Sequence, residues 1–380
     1  MDKWLIIYGI VFFAGLLVTA GATPLFRRLA HVTGMLDRPS SNHKGHAQAT
    51  ALFGGAAMFS SWLLIITGAS AVVYFNWIPE CFSNIYAMHL PGFSQVAQKE
   101  LFFIALGALF AVLLGLIDDK WALKAKWKFL GQFAVALTAV IWGGVRINVF
   151  INSEVFSICI TIFWIMLLMN AINFFDNMDG LAVGTIAVAM LFFTIISALN
   201  NEYFVAAFAA LNCGVCCGFW IYNSNPASIF MGDSGSHFLG YLAAVVSAGT
   251  TYFDLRFSQS RFPVLIPLLI LALPLFDTFM VVVIRTLNKK PFWIGDHNHI
   301  SHRFVRMGLS RKMAVMLVHL MALNIALGAL PVYWGDFRTA AIILLQTVVL
   351  FSIITILQFF LEVRKDAVEE HKKITVSDKK

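Results

Sequence analysis

Eleven stretches of roughly twenty mostly apolar residues follow one another along this chain, and each is close to the length that crosses a bilayer's hydrocarbon core. They fall near residues 4–25, 51–75, 100–117, 128–144, 154–173, 181–199, 203–222, 235–250, 263–285, 312–333 and 338–362. Backbone polar groups in lipid must be satisfied within the segment, so each stretch reads as a helix. The predicted fold is an all-α polytopic integral membrane protein with about 11 transmembrane helices. Residues 1–362 form one membrane domain, and 363–380 form a charged tail that frays or is disordered. Only 12% of the 380 residues are charged, against about 25% in a soluble domain. The first apolar run carries Arg27 and Arg28 after it, the reverse of a cleavable signal peptide.

The net charge of +7 is not a nucleic-acid signal, because the basic residues sit in short loops between spans. With the N-terminus outside, 21 of the 27 lysines and arginines fall on one side. That bias makes this side cytoplasmic, facing anionic lipid and phosphorylated small molecules. The five cysteines give no disulfide framework. Cys213, Cys216 and Cys217 lie in an apolar helix and read as small packing residues.

In so apolar a chain, carboxylates that persist at span ends are functional candidates. Asp118 and Asp119 end the third span and lead into a lysine-rich loop with Lys128. Adjacent helical residues diverge by about 100°, so the two cannot serve one small ligand with the same geometry. The bland alternative is an ion pair with Lys120 or Lys124. Asn170, Asn173 and Asp176 recur every third residue at the end of the fifth span, with Asp179 three further on. In a helix they make one polar stripe. Asp233 lies in FMGDSGS, where Gly232 admits close backbone approach and a helix start favours phosphate oxygens. Phe230 could stack on a base. The loop after the ninth span holds Asp296, His297, His299, His302, Arg303 and Arg306, a spacing better suited to phosphate than to a closed zinc site. The first cytoplasmic loop offers Asp37, Lys44 and His46 before Gly54 and Gly55. All these carboxylates fall on the predicted cytoplasmic side. Asp clusters are hard ligands suited to magnesium, so a phosphate-bearing substrate at a membrane surface is expected.

Together the ordered motifs GLIDDK with Lys128 and Gln132, NAINFFDNMDGLAVG, NPASIFMGDSGS and the His loop resemble the polyprenyl-phosphate N-acetylhexosamine-1-phosphate transferase superfamily (glycosyltransferase family 4). The nearest branch is that of undecaprenyl-phosphate N-acetylglucosaminyl 1-phosphate transferases. The resemblance implies an inner (plasma) membrane enzyme, with its site in the cytoplasm. It would pass a sugar 1-phosphate from a UDP-N-acetylhexosamine to a polyprenyl phosphate, releasing UMP. It also implies Mg2+ or Mn2+ on Asp233, and catalytic roles for Asp118, Asp119 and Asp176. Lys44, His46, Lys128, Asn173, Asp179, Phe230, His299, His302 and Arg303 would bind substrate. The lipid bilayer and a possible homodimer complete the expected partners; nucleic acid is not among them. Ser301 stands where that branch often has a histidine, and Thr50 lies where the first loop usually has a proline. The alternatives are a phospho-N-acetylmuramoyl-pentapeptide transferase and, from another class, a secondary transporter. A transporter's ionisable groups belong near the midplane, not at span ends.

Overall fold

The computed structural model describes residues 2–37, 49–82, 95–147, 151, 153–250, 252, 262–289, 291 and 299–377. Lys44, His46, Asp296 and His297 lie outside these residues. Contacts divide the chain into two compact units, Met1–Tyr252 and Phe253–Lys380.

The first unit contains α1 (Asp2–Thr33), β1 (Leu36–Asp37), β2 (Thr50–Ala51), α2 (Gly54–Tyr74), α3 (Gln95–Trp121) and α4 (Ala125–Leu137). It continues with α5 (Glu154–Phe175), α6 (Leu181–Leu199), α7 (Tyr203–Asn223) and α8 (Gly232–Gly249). The two short strands pair antiparallel, Leu36 opposite Ala51 and Asp37 opposite Thr50. They bring together the ends of the first loop and tie it, through Ala51, to Ile229. Among the described residues, the regular structure is otherwise helical.

Every predicted apolar stretch contains helix, but they do not all cross equally well. Among the described residues, eight helices are long and apolar enough to span, or nine if one bent pair counts as a span. The stretch at 128–144 is α4 continued by a π turn, Thr138–Trp142. The stretch at 235–250 is α8, which starts with the polar run Gly232–His237. It touches α2, α3, α5, α6 and α7, and its residues from Ser234 to Ser247 are all buried. Helix α8 is therefore the core of the unit, shielded by protein rather than lipid. That permits a polar end which a lipid-facing helix would not tolerate.

The second unit contains α9 (Ile266–Ile270), α10 (Ala272–Leu287), α11 (Ile300–Arg306), α12 (Arg311–Trp334) and α13 (Phe337–Ser377). Helix α10 and the segment ending in α9 meet at 73° around Leu271. Pro274 lacks the N–H that would continue the ladder, so the break falls where the sequence removes a donor. Helix α13 runs to Ser377. Cys213 and Cys216 are buried in α7, and the described cysteines are free, as packing residues are.

Candidate active site

The site of the first unit is built from residues one helical turn apart on three helices. Lys128 and Gln132 lie on α4, Asn170 and Asn173 on α5, and Asp233, Ser236 and His237 on α8. Pairs spaced i, i+3 or i, i+4 share a helix face, so the three faces stack into two layers.

The outer layer is ionic. Lys128 Nζ lies 2.7 Å from Asp118 Oδ2 and 2.8 Å from Asp233 Oδ2, and it donates to Asn173 Oδ1 at 3.2 Å. Asn173 Nδ2 donates to Asp233 Oδ1 at 2.7 Å and to Ser236 Oγ at 2.9 Å. Asp118 thus pairs with Lys128, not with Lys120 or Lys124, and also accepts the Leu123 N–H at 2.8 Å. Its side chain is 7% exposed, against 33% for Asp233. Asp233 is the carboxylate of this pair that a ligand can reach.

The inner layer is neutral and buried. Gln132 and Asn170 exchange amide hydrogen bonds at 3.2 and 2.6 Å. Gln132 Nε2 also lies 3.1 Å from His237 Nε2. An amide N–H can only donate, so His237 accepts there and carries its proton on Nδ1. Gln132 and His237 are fully buried, and a satisfied amide pair at that depth fixes the helices that hold the ionic layer.

Asp119 turns away from Lys128. Its Oδ1 accepts the Asp233 N–H at 2.7 Å and its Oδ2 the Ser234 N–H at 3.2 Å. The start of α8 was expected to offer its N–H groups to phosphate; two of them are already taken by this carboxylate. Asp176 ends α5 as its C-cap. Burial pushes its carboxyl well above the usual range, and the charges of Asp233, Asp119 and Asp179 push the same way. Asp179 Oδ2 holds the next loop, accepting from Asn225 Nδ2 at 3.0 Å and from the Ala227 N–H at 3.1 Å. Phe230 is tied by its backbone: its N–H donates to the Ala51 carbonyl at 2.8 Å and its carbonyl accepts the Gly54 N–H at 3.1 Å. Side chains at Gly54 and Gly55 would collide with the 230–235 segment, which explains that glycine pair.

The predicted Asp118, Asp119, Lys128, Asn173, Asp176 and Asp233 therefore come together. Gln132, Asn170, Ser236 and His237 join them; their signal was the one-turn spacing from Lys128, Asn173 and Asp233. Among the described residues, no three His, Cys, Asp or Glu side chains form a ready-made metal-binding group.

In the second unit, the sequence reading missed Asp277. This buried residue accepts the Ile300 N–H at 2.7 Å, and its Oδ2 lies 2.7 Å from His299 Nδ1. A lone carboxylate inside the apolar run ALPLFDTFMVVV was the available signal. Arg303 donates to Gln358 Oε1 at 3.4 Å, and the rings of His299 and His302 stand 6.3 Å apart.

Membrane helices around a lysine shared by two carboxylates define a polytopic membrane protein with an ionic site among its helices. The comparisons give the class its family. The model of glycosyl transferase family 4 matches residues 101–250, the segment from α3 through α8. A Bacillus subtilis protein described as a probable undecaprenyl-phosphate N-acetylglucosaminyl 1-phosphate transferase is 30% identical, over 99% of this chain and 97% of that protein. A Mycolicibacterium smegmatis decaprenyl-phosphate N-acetylglucosaminephosphotransferase is 29% identical over 90% of this chain and 86% of its own. A Listeria monocytogenes phospho-N-acetylmuramoyl-pentapeptide-transferase is 36% identical, over 40% of this chain and 52% of its own. The chain belongs to glycosyl transferase family 4.

Proposed function

We propose that this enzyme transfers N-acetylglucosamine 1-phosphate from its UDP-sugar to a polyprenyl phosphate, releasing UMP, as the first membrane step of a cell-envelope polysaccharide. The observation that carries this reading is the ionic layer of Asp118, Lys128, Asn173 and Asp233. It occurs in a chain similar along almost its whole length to a protein of that description. The excess of lysine and arginine in alternate loops supports a plasma-membrane protein with this site in the cytoplasm.

The reaction brings two anions together, so positioning and charge neutralisation dominate it. Lys128 is suited to hold the acceptor phosphate. Asp118, fixed against Lys128, would take the acceptor's proton or keep the lysine aimed. Asp233 would hold Mg2+ or Mn2+, with Asp176 close behind. The donor set fits: carboxylates outnumber cations around Lys128, and burial, together with the charges of Asp233, Asp119 and Asp179, drives Asp176 toward its protonated form. Magnesium commonly takes one or two carboxylates and completes its shell with substrate phosphates, so a closed protein cage is not needed. When bound, the ion offsets the negative charge of the donor diphosphate. Asp179 and Phe230 remain candidates for the uridine side. His299, His302 and Arg303 remain donor-binding candidates on the family motif alone.

The test is the purified protein in nanodiscs with undecaprenyl phosphate and a panel of UDP-sugars, including UDP-N-acetylmuramoyl-pentapeptide. Product lipid is read by mass spectrometry, with and without EDTA. The expected result is an N-acetylglucosamine diphospholipid plus UMP, abolished by EDTA and restored by magnesium. Product from the muramoyl donor alone would move the chain to the other branch, and no product from any donor would sink the reading.

A further inference from the structure

We infer that Asp119 is a positioning residue: it fastens the N-terminus of α8, and so places Asp233, without touching substrate itself. This deepens the transferase reading and rests on it for the meaning of activity.

Helix α8 begins without a cap of its own. Met231 stands at the N-cap and has no side-chain oxygen to offer. The first N–H groups of a helix have no partner within it, and leaving them buried and unpaired is costly. Asp119 supplies the acceptors from α3, one oxygen to Asp233 N–H at 2.7 Å and the other to Ser234 N–H at 3.2 Å. A carboxylate at that end also meets the positive pole of the helix.

The surroundings are shaped for this contact. Gly232 has φ +67°, and a Cβ there would lie 2.6 Å from Asp119 Oδ2. Gly115, one turn before Asp119 on the same face of α3, faces Ser234 so closely that a Cβ would collide with its backbone. Two glycines thus clear the path between α3 and α8. Asp118, the adjacent residue, points instead at Lys128, 2.7 Å away. The DD pair is divided: Asp118 serves the ionic layer, and Asp119 holds the helix on which Asp233 rides.

The test compares Asp119→Asn, Asp119→Ala and Asp118→Asn. An asparagine oxygen can still accept one of the two N–H groups, whereas alanine accepts neither. Asp119→Asn should lose about tenfold in kcat with the shape of its pH–rate profile unchanged. Asp119→Ala should lose about a hundredfold or more. A proton-transfer or metal-ligating role predicts instead that Asn and Ala are equally inactive, or that Asn removes a limb of the pH profile; either overturns the inference. Hydrogen–deuterium exchange provides a readout independent of turnover. Peptides covering residues 230–238 should exchange faster in Asp119→Asn and keep their wild-type rate in Asp118→Asn. Unchanged exchange in Asp119→Asn overturns the cap even if the wild-type enzyme turns over none of the donors. Absence of wild-type turnover, with faster exchange in Asp119→Asn, would sink the transferase reading alone.

Discussion

Two helices, α8 at Gly232 and α11 at Ile300, begin without a capping side chain of their own. Each takes a carboxylate from a different helix, Asp119 on α3 for the first and Asp277 on α10 for the second. Asp119 spends both oxygens on backbone N–H groups. Asp277 divides its oxygens, one on the Ile300 N–H and one against His299 Nδ1. The first arrangement fixes where a helix starts, and through it the position of Asp233. The second also fixes a side chain: with Nδ1 engaged by the carboxylate, Nε2 is the imidazole atom left to work on something else. The same local physics thus places a carboxylate in one unit and orients an imidazole in the other.

The largest effect is expected where the first cap delivers its product. Asp233→Asn removes the charge facing Lys128 and the reachable anionic oxygen. A loss of 100-fold or more in turnover is expected, from about 3 kcal/mol of lost charge stabilisation. The measurement is initial rate against magnesium concentration. A wild-type rate at low magnesium would mean that Asp119 positions a residue the reaction does not use.

The second cap is tested next by Asp277→Asn. Asparagine can accept from only one of the two donors that face Asp277, so about 1.5–3 kcal/mol of charge-assisted bonding is at stake. If His299 acts in turnover, about tenfold is lost, and most of that loss disappears in a His299→Ala background. If Asp277 only caps α11, the two losses simply multiply. The kinetic double-mutant cycle separates the outcomes and shows whether the caps differ as their geometry indicates.

A smaller effect belongs to the layer beneath. Gln132→Leu breaks the reciprocal amide pair with Asn170 and the bond to His237. It leaves buried polar atoms unpaired, at about 1–3 kcal/mol. Thermal unfolding in detergent should shift down by several degrees, with turnover falling less than in Asp233→Asn. An unshifted midpoint would show that this layer does not brace the ionic one.

What the sequence made legible follows from these contacts. Carboxylates at span ends stand out because lipid makes them costly, so Asp118, Asp119, Asp176 and Asp233 could be read from position alone. The 100° divergence of adjacent helical residues already split Asp118 from Asp119. Their partners were not legible, because Lys128 meets Asp233 across 105 residues and no local pattern encodes that. Asp277 was not legible because it stands alone in its apolar run, without the second acidic residue that marks the other groups. The burial of α8 was hidden too: its polar first turns lower its hydropathy, while the helices around it supply the shield.

The smallest expected effect concerns a carboxylate at the opposite kind of helix end. Asp176 caps the C-terminus of α5, where the helix dipole disfavours negative charge. Burial raises its pKa, and Asp233, Asp119 and Asp179 raise it further. The folded state therefore holds a proton that the unfolded chain releases at an ordinary aspartate pKa. The stability tied to that proton is complete in acid and is lost as pH rises from about 4 through the raised folded value. Wild-type protein without divalent cation should show a falling unfolding midpoint over that interval, and Asp176→Asn a flatter profile. Asp119 instead accepts two N–H groups at the start of α8. Substituting Asp119 by asparagine should lower the midpoint, whereas the same change at Asp176 should raise it at neutral pH. Parallel pH profiles for wild type and Asp176→Asn would show that Asp176 carries its charge without penalty, and the contrast between the two ends of helix would fail at that residue.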